Sequence, residues 1–291
     1  MLDLQLKLLQ PVEQVQNILE QDWQKPYSIP VQNQYTLQEG SMPDLPAHLW
    51  QPIKYDEAEV LSQTPEGWLH LKCQQSHMSI HFHRQQIWCS GTGGALRLCL
   101  QFGIMEMLRL QGWMPIHASA LNVNGAATVL LGPSGTGKTT TLLQAARSGV
   151  VSLAEDWSWI GPELVFYPWD SGLHLLPDTT ERFADVLPEA RTWVDRGSRK
   201  KWRFEVQDLP WFAPEPCPLG HFWLLKRSPK TALGPLSKLD QVKALWEATG
   251  MPLTRAGTVM AQQGINRLMG VPGQTLHLGF DVDFQRLLNG N

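Results

Sequence analysis

The chain lacks the features that mark several classes of protein. It contains no run of about 20 apolar residues, the length that a membrane-spanning helix requires, and its first residues have no basic segment followed by an apolar one, so no signal peptide is expected. The 24 Lys and Arg nearly balance the 27 Asp and Glu, for a net charge of -3. We therefore expect a cytoplasmic protein without a nucleic-acid or membrane partner, and a homo-oligomer remains open.

Cysteines are few, whereas tryptophans are many. The four cysteines form no CxxC pair, which argues against a structural zinc site or a dense disulfide framework and predicts reduced, buried thiols. The 13 tryptophans are expected mainly in the core. A groove for an extended peptide is the alternative for a minority of them.

The hydrophobic pattern divides the chain near residue 93. Residues 67–73 and 78–90 alternate between apolar and polar side chains, which predicts antiparallel strands. Residues 95–112 carry apolar side chains at helical spacing, which predicts a buried helix. We therefore predict an N-terminal α+β accessory domain over residues 1–93, for recognition or assembly, and a second domain over residues 94–291.

A glycine-rich loop follows a predicted hairpin at residues 114–131 and precedes a helix that ends near Gly149. Residues 132–139 satisfy the pattern G-x-x-x-x-G-K-[ST], in which the glycines let backbone N–H groups point at phosphate oxygens. Lys138 would reach the terminal phosphates and the Thr139 hydroxyl would coordinate Mg²⁺. The predicted ligands are ATP and Mg²⁺, and the predicted nucleotide-binding residues are Gly132, Pro133, Ser134, Gly135, Thr136, Gly137, Lys138, Thr139 and Thr140.

Two adjacent carboxylates, Glu155 and Asp156, end the strand that follows the loop's helix. If the two strands around that helix are parallel, their carboxyl ends open on the same edge of the sheet. One carboxylate can then hold Mg²⁺ together with Thr139, while the other accepts a proton from the attacking hydroxyl. Which of the two does which is left open, and a pair that simply starts a turn is the alternative.

The order and spacing of IHASAL (116–121), GPSGTGKTTTL (132–142) and LAEDW (153–157) resemble the HPr kinase/phosphorylase superfamily. The resemblance implies an α/β fold with a P-loop kinase domain of the HPr-kinase/PEP-carboxykinase-like type. The family's usual acidic pair is Asp-Asp, so Glu155 departs from it where the catalytic acid/base would stand. The resemblance covers about residues 114–249 and leaves residues 1–93 unexplained.

Three downstream segments resemble an HPr-kinase-like subfamily found beside peptide-modifying genes. They are GLHLLPDTTERF (172–183), SRKKWRFEV (198–206) and PLSKLDQVKALWEAT (235–249). Some members of that subfamily are lasso peptide precursor kinases, which phosphorylate a serine at the end of a peptide. The resemblance thus implies a peptide or small-protein acceptor.

Several further roles come from the resemblance. His117 would lie beside the transferred phosphate and complete a catalytic set with Lys138, Glu155 and Asp156; a satisfied histidine at a strand end is the alternative. A predicted basic turn offers positive charge to the phosphates through Arg199, Lys200 and Lys201, or is simply solvated. Asp178 and Arg182 would shape the acceptor site, with a helix-capping aspartate as the alternative. Residues 208–220, rich in proline, are a candidate lid or binding edge.

Three functions fit these observations. The first is a kinase acting on a Ser or Thr hydroxyl of a peptide or small protein, such as a ribosomally made precursor peptide. The second is a kinase of a small hydroxyl-bearing metabolite such as free serine, which would use the same site. The third is a P-loop ATPase whose hydrolysis drives a change of shape without any acceptor, although the absence of an LSGGQ-type signature counts against the ABC version.

Overall fold

Helices and strands alternate in a mixed α/β arrangement, in agreement with the predicted fold class. The computed structural model describes residues 4–8, 13–23, 33–40, 51–52, 58–61, 67–196, 199–279, 282 and 284–288. The chain forms two compact units, one from Met1–Gly112 with Met251–Ala261 and one from Trp113–Gly250 with Gln262–Asn291.

The first unit contains a seven-stranded sheet in the order β1-β2-β7-β6-β5-β4-β3. Its strands are β1 (Leu4–Leu8), β2 (Asn33–Glu39), β3 (Gln51–Pro52), β4 (Ala58–Leu61), β5 (Trp68–Cys73), β6 (Ser76–His81) and β7 (Gln86–Ser90). The predicted antiparallel strands are confirmed, because β5 pairs with β6 and β6 with β7 in that sense. Among the described residues of this unit that precede Gly112, two helices accompany the sheet, α1 (Glu13–Trp23) and α2 (Gly93–Leu110).

Helix α2 is the predicted buried helix, but it belongs to the first unit and not to the second. Its Gly103 lies so close to β6 that a Cβ there would come within 2.5 Å of Met78 Sδ. The boundary between the units therefore falls at Gly112/Trp113 and not at residues 93/94. The thiols of Cys73, Cys89 and Cys99 are buried, as expected, whereas Cys217 in the second unit is only partly buried, and none of the four is in a disulfide bond.

The second unit is built on a nine-stranded sheet in the order β11-β9-β10-β17-β13-β12-β8, with β19 beside β17 and β18 beside β19. Its strands are β8 (Met114–His117), β9 (Ser119–Val123), β10 (Ala126–Leu131), β11 (Ser152–Ala154), β12 (Trp157–Ile160), β13 (Val165–Pro168), β17 (Cys217–Arg227), β18 (Ala232–Pro235) and β19 (Gly273–Leu278). Strands β9 and β10 form a hairpin, as predicted, but the predicted first strand is divided, because Met114–His117 forms β8, which pairs with β12. Because β9 is antiparallel to both β10 and β11, β10 and β11 point the same way.

Apolar side chains cover both faces of this sheet and form two separate clusters. The helices of the remaining chain are α3 (Lys138–Arg147), α4 (Pro177–Arg182), α5 (Lys238–Ala248), α6 (Arg255–Leu268) and α7 (Phe284–Leu288). Helix α3 is the one predicted after the glycine-rich loop.

A separate three-stranded sheet has the order β14 (Gly172–Leu175), β16 (Arg199–Glu205), β15 (Thr192–Arg196). The segment predicted as a basic turn at residues 198–202 lies mainly in β16, so that prediction was wrong. Side chains of a strand alternate between its faces, and Trp202 stacks on Trp193 of β15 with ring centroids 4.1 Å apart. The neighbouring Lys201 lines a cleft described below.

The proline-rich segment at residues 208–220 is packed against the body of the unit, so it does not have the features of a lid. Trp211 and Phe212 are buried in the hydrophobic cluster that also covers α3. The indole Nε1 of Trp211 donates to the Val186 carbonyl at 2.7 Å. Backbone hydrogen bonds join Ser152 of β11 to Trp211 and Ala213, and residues from Cys217 onward belong to β17.

Candidate active site

The glycine-rich loop leads from the end of β10 into the first turn of α3. Three of its glycines have positive φ angles, 152° at Gly132, 82° at Gly135 and 105° at Gly137. A side chain at Gly132 would also collide with the loop, since its Cβ would lie 2.8 Å from Thr136 Oγ1. The glycines predicted for this loop are thus required by its backbone.

Lys138 folds back over the loop that precedes it. Its ammonium group donates to the Gly132 carbonyl at 2.7 Å and to the Pro133 carbonyl at 3.4 Å. Burial lowers the pKa of Lys138 below its ordinary value, although the nearby carboxylates of Asp156 and Glu155 counteract part of that shift. The cation is held at the loop's edge, facing the acidic pair.

Glu155 contacts the loop directly, as the predicted parallel arrangement of β10 and β11 requires. Thr139 Oγ1 donates to Glu155 Oε1 at 2.7 Å. Two hydrogen bonds from the start of β9 hold the backbone of Glu155 and Asp156. Ser119 Oγ donates to the Glu155 carbonyl at 2.7 Å, and the amide of Ala118, just before β9, donates to the Asp156 carbonyl at 3.0 Å. The pair therefore does more than start a turn.

Asp156 faces His117, the histidine predicted from the family resemblance. Nε2 of His117 lies 2.5 Å from Oδ1 of Asp156, and nearly half of each side chain is accessible to solvent. The imidazole stacks on the indole of Trp157 with ring centroids 5.6 Å apart. His117 is thus a partner of the acidic pair.

Asp170 organises the backbone of the acidic pair and was not predicted. Its Oδ2 accepts hydrogen bonds from the amides of Glu155 at 2.6 Å and Asp156 at 3.0 Å, while its Oδ1 accepts from the Trp157 amide at 3.1 Å. In the sequence it stands before Ser171 and Gly172, a pattern typical of an ordinary turn. Only the pairing of β12 with β13 brings it to the acidic pair.

The three carboxyl groups concentrate negative charge in this region. Burial, together with Asp156 and Asp170, raises the pKa of Glu155 to about 8, against the lowering effect of the Thr139 hydrogen bond. Burial and the charge of Asp156 raise the pKa of Asp170 to about 6. For Asp156 burial acts in the same direction, but the hydrogen bond and charge of His117, with Lys201 and Lys138, outweigh it and lower its pKa. A cation placed here would relieve this repulsion.

Glu155 and Asp156, together with His117 and residues of the glycine-rich loop, line a cleft of about 470 Å³ that contains most of the predicted site. Residues from several elements form its wall: His117, Ser134, Gly135, Gly137, Lys138, Thr139, Thr140, Glu155, Asp156, His174, Leu175, Leu176, Thr179, Lys201 and Arg227. We call it the acidic cleft. Arg227, at the end of β17, was not predicted; its guanidinium donates to the Gly135 carbonyl at 2.7 Å, and it reaches the loop only because β17 pairs with β10.

The residues predicted to bring positive charge to the phosphates and those predicted to shape the acceptor site are only partly brought together. Lys201 lines the acidic cleft, whereas Lys200 is exposed and does not. The side chain of Arg199 lies outside the described residues. Asp178 is exposed in the first turn of α4 and accepts from the Thr179 amide at 2.8 Å, but the capping position of this helix is Leu176, so Asp178 is not the helix-capping aspartate of the alternative either. Arg182 lines a different cavity.

That second cavity, which we call the side cavity, adjoins the same loop and has a volume of about 240 Å³. Its walls come from α3, the end of α4 and the ends of β17 and β19. They contain Thr136, Gly137, Thr140, Thr141, Gln144, Arg182, Arg227, Ser228, Leu278 and Gly279. It shares Gly137, Thr140 and Arg227 with the acidic cleft, so the two spaces flank the start of α3.

No family model and no curated protein matches this chain. The described helices include none long and apolar enough to cross a membrane. Within the described ranges, no group of three or more His, Cys, Asp or Glu side chains is arranged to hold a metal ion. A divalent ion at the acidic pair would thus need oxygen ligands from elsewhere in addition to these side chains.

Proposed function

We propose that this chain is a kinase that transfers the γ-phosphoryl group of ATP to a Ser or Thr hydroxyl of a peptide or small protein, and that its second unit is a kinase domain of the HPr-kinase-like type. One observation carries the proposal. The phosphate-loop residue Thr139 touches Glu155, and the adjacent Asp156 touches His117, all within one open cleft. The arrangement supports a phosphate-binding role for the loop and a proton-accepting role for the neighbouring carboxylate.

The residues present fit ATP and Mg²⁺. Mg²⁺ prefers oxygen ligands and is commonly bound through one or two carboxylates together with substrate phosphates, and the Thr139 hydroxyl with the Glu155 carboxylate offers that set. Bound ATP with Mg²⁺ would supply the phosphoryl group and neutralise charge as it is transferred. Backbone N–H groups of the loop and the ammonium of Lys138 would hold the phosphates. Lys138 must leave the Gly132 carbonyl to do so.

The surroundings of the two carboxylates support a different role for each member of the acidic pair. Glu155 is buried against Thr139 and is suited to hold the cation. Asp156 is accessible from the cleft, and its lowered pKa keeps it ionised near neutral pH. In the proposed reaction, Asp156 accepts the proton of the acceptor hydroxyl, and His117 orients the Asp156 carboxylate. Lys201 and Arg227, both on the cleft wall, would add positive charge near the phosphates.

Peptide acceptors are favoured by the resemblance to peptide-modifying kinases and by the openness of the acidic cleft to solvent at His117 and Asp156. A small metabolite such as free serine would meet the same Asp156 and His117. In an ATPase without an acceptor, Asp156 and His117 would instead orient the attacking water. The experiments below therefore include all three possibilities.

Variants of the site test the assignment. Lys138→Ala should abolish binding of ATP with Mg²⁺, measured by calorimetry. Asp156→Asn should keep that binding within a few-fold but lower transfer by about 10²–10⁴-fold, the usual contribution of a positioned acid or base. Glu155→Gln should also stop transfer, and should raise the Mg²⁺ concentration that nucleotide binding requires.

Lys200→Ala is a matched control, since Lys200 is adjacent to Lys201 but does not line the cleft. It should leave both binding and transfer close to those of the unaltered chain. If Asp156→Asn and Glu155→Gln both retain transfer, the site is misassigned.

A further inference from the structure

We infer that the nucleoside part of ATP occupies the side cavity, and that the acceptor enters from the acidic cleft on the other side of the loop. This inference rests on the proposed function and deepens it, because it specifies on which side of the loop the nucleoside and the terminal phosphate of bound ATP lie. It also assigns a role to Gln144, Arg182 and Leu278, none of which takes part in the transfer step.

The direction follows from which side of the loop carries the chemistry. In a phosphate-binding loop, the lysine and the following threonine contact the terminal phosphates and Mg²⁺. Here these residues are Lys138 and Thr139, and Thr139 contacts Glu155. The terminal phosphate must then face the acidic cleft. The other end of the nucleotide has to leave past the next helical residue, Thr140, which lies in the wall of both spaces.

The lining of the side cavity suits a nucleoside. Thr140 and Gln144 stand one turn apart on α3 and offer a hydroxyl and an amide for polar edges of a base or ribose. The Leu278 side chain gives an apolar surface beside the loop, since a Cβ at Gly137 would lie 3.9 Å from Leu278 Cδ1. The guanidinium of Arg182 can stack on an aromatic ring. Of the described residues that line the cavity, none is acidic.

The walls of this cavity are tied together without a ligand. Arg147 of α3 donates to the Arg182 carbonyl at 2.6 Å and forms an ion pair with Asp185, which fixes the end of α4 against α3. On the other side, the Ser228 amide donates to the Leu278 carbonyl at 2.9 Å. A preformed cavity of about 240 Å³ is small by comparison with whole-ligand sites, so it suits one part of a nucleotide whose phosphates lie outside it.

Filling each space in turn tests the direction. Gln144→Trp should obstruct the side cavity, and Thr179→Trp should obstruct the acidic cleft, which Thr179 lines. Binding of ATP and of inorganic tripolyphosphate, each with Mg²⁺, would be measured by calorimetry. We expect Gln144→Trp to weaken ATP by about tenfold or more while tripolyphosphate changes by less than about threefold, and Thr179→Trp to leave the ratio of the two affinities unchanged.

The two possible failures can be told apart. If the unaltered chain binds neither ATP nor tripolyphosphate, the proposed function itself is wrong. If it binds both, but Thr179→Trp and not Gln144→Trp selectively weakens ATP, or Gln144→Trp affects both ligands equally, only the placement of the nucleoside is overturned.

A photoreactive azidoadenine analogue of ATP gives a result that does not depend on the folding of any variant. On the unaltered chain, peptide mapping by mass spectrometry should find the label on peptides containing Gln144, Arg182 or Leu278. Label confined to peptides from residues 174–176 or Lys201, in the wall of the acidic cleft, would contradict the inference.

Discussion

Glu155 and Asp156 are adjacent in sequence but their carboxyl groups are in different surroundings. Glu155 is 9% exposed and bonded to Thr139, and its pKa is raised to about 8. Asp156 has a side chain 45% exposed and bonded to His117, and its pKa is lowered. Environments that push two pKa values apart are how a pair of similar groups acquires separate roles.

The raised pKa of Glu155 predicts that this residue lowers the stability of the ligand-free protein at neutral pH. The folded state keeps the proton up to about pH 8, whereas the unfolded chain loses it near its ordinary pKa of about 4.5, so stability falls as pH rises between these values. Glu155→Gln should increase the free energy of unfolding at pH 7 by about 1–3 kcal/mol, and the gain should vanish below about pH 4.5. Urea denaturation of both proteins at several pH values measures this difference in the free energy of unfolding. A difference that is the same at all pH values would contradict the account.

His117 predicts a second pH effect. Because it lowers the pKa of Asp156, its removal should raise that pKa. The proposed transfer requires ionised Asp156, so on acidification the activity of the variant should be lost at a higher pH than that of the unaltered chain. His117→Ala should thus move the acidic limb of the kcat/KM profile to higher pH, whereas His221→Ala, an exposed change on β17, should not. An unmoved acidic limb in His117→Ala would exclude Asp156 as the group that accepts the proton.

The residues of the site differ in how well a sequence reveals them. Lys138, Thr139 and the acidic pair could be predicted because each belongs to a short pattern with its own chemistry. Asp170 and Arg227 could not, because their roles depend on strand pairing: β13 beside β12 and β17 beside β10. Lys200 and Lys201 look equivalent in sequence, and only the alternation of β16 separates the one in the cleft from the one outside it.

Secondary-structure elements with strong local periodicity were predictable. The hairpin β9–β10, helix α3 and strand β11 follow from alternation, helical spacing and turn residues within some 40 residues of chain. The basic residues at the start of β16 hide the alternation that Trp202 and Phe204 supply, so that this part of the strand resembles a turn in the sequence. For α6 and β19 no element was predicted, and β19 is held in place by β17, some 50 residues earlier.

The packed state of the proline-rich segment leads to a prediction about stability. Trp211 is 9% exposed and hydrogen-bonded to Val186, so Trp211→Ala should lower the free energy of unfolding by about 3–5 kcal/mol. Trp246→Ala, at a tryptophan that is 42% exposed on α5, should cost less than about 1 kcal/mol. Chemical denaturation compares the two. Equal small losses would show that the segment is a mobile cover after all.

At the scale of the whole chain, the first unit is assembled from pieces distant in sequence. Residues Met251–Ala261 join Met1–Gly112, and a buried carboxylate makes the connection. Glu106 of α2 accepts from the amides of Leu253 and Thr254 at 3.1 and 2.9 Å and from Thr254 Oγ1 at 2.6 Å, and it also binds Arg109 at 2.8 Å. Contacts of this range are invisible in local patterns, which is why the unit boundary could not be predicted.

Removal of that carboxylate should be costly. Glu106 and Arg109 are 0% and 1% exposed, so Glu106→Ala removes a buried negative charge that is bonded to a buried cation and should lower the free energy of unfolding by about 3–5 kcal/mol. Glu247→Ala, at an exposed position of α5, should change it by less than about 0.5 kcal/mol. Denaturation monitored by circular dichroism would decide, and a loss as small as that of the control would mean that Glu106 is not needed to hold this unit together.

The central claim is phosphoryl transfer to a hydroxyl acceptor, and one assay addresses it directly. The purified chain would be incubated with Mg²⁺ and γ-labelled ATP, in parallel with a panel of peptides ending in Ser or Thr, with free serine and with no acceptor, followed by mass analysis. We predict that one peptide gains the mass of a single phosphate and that Asp156→Asn abolishes the gain. Modification of free serine alone would change the acceptor class, and label found only in free phosphate would contradict the claim in favour of an ATPase.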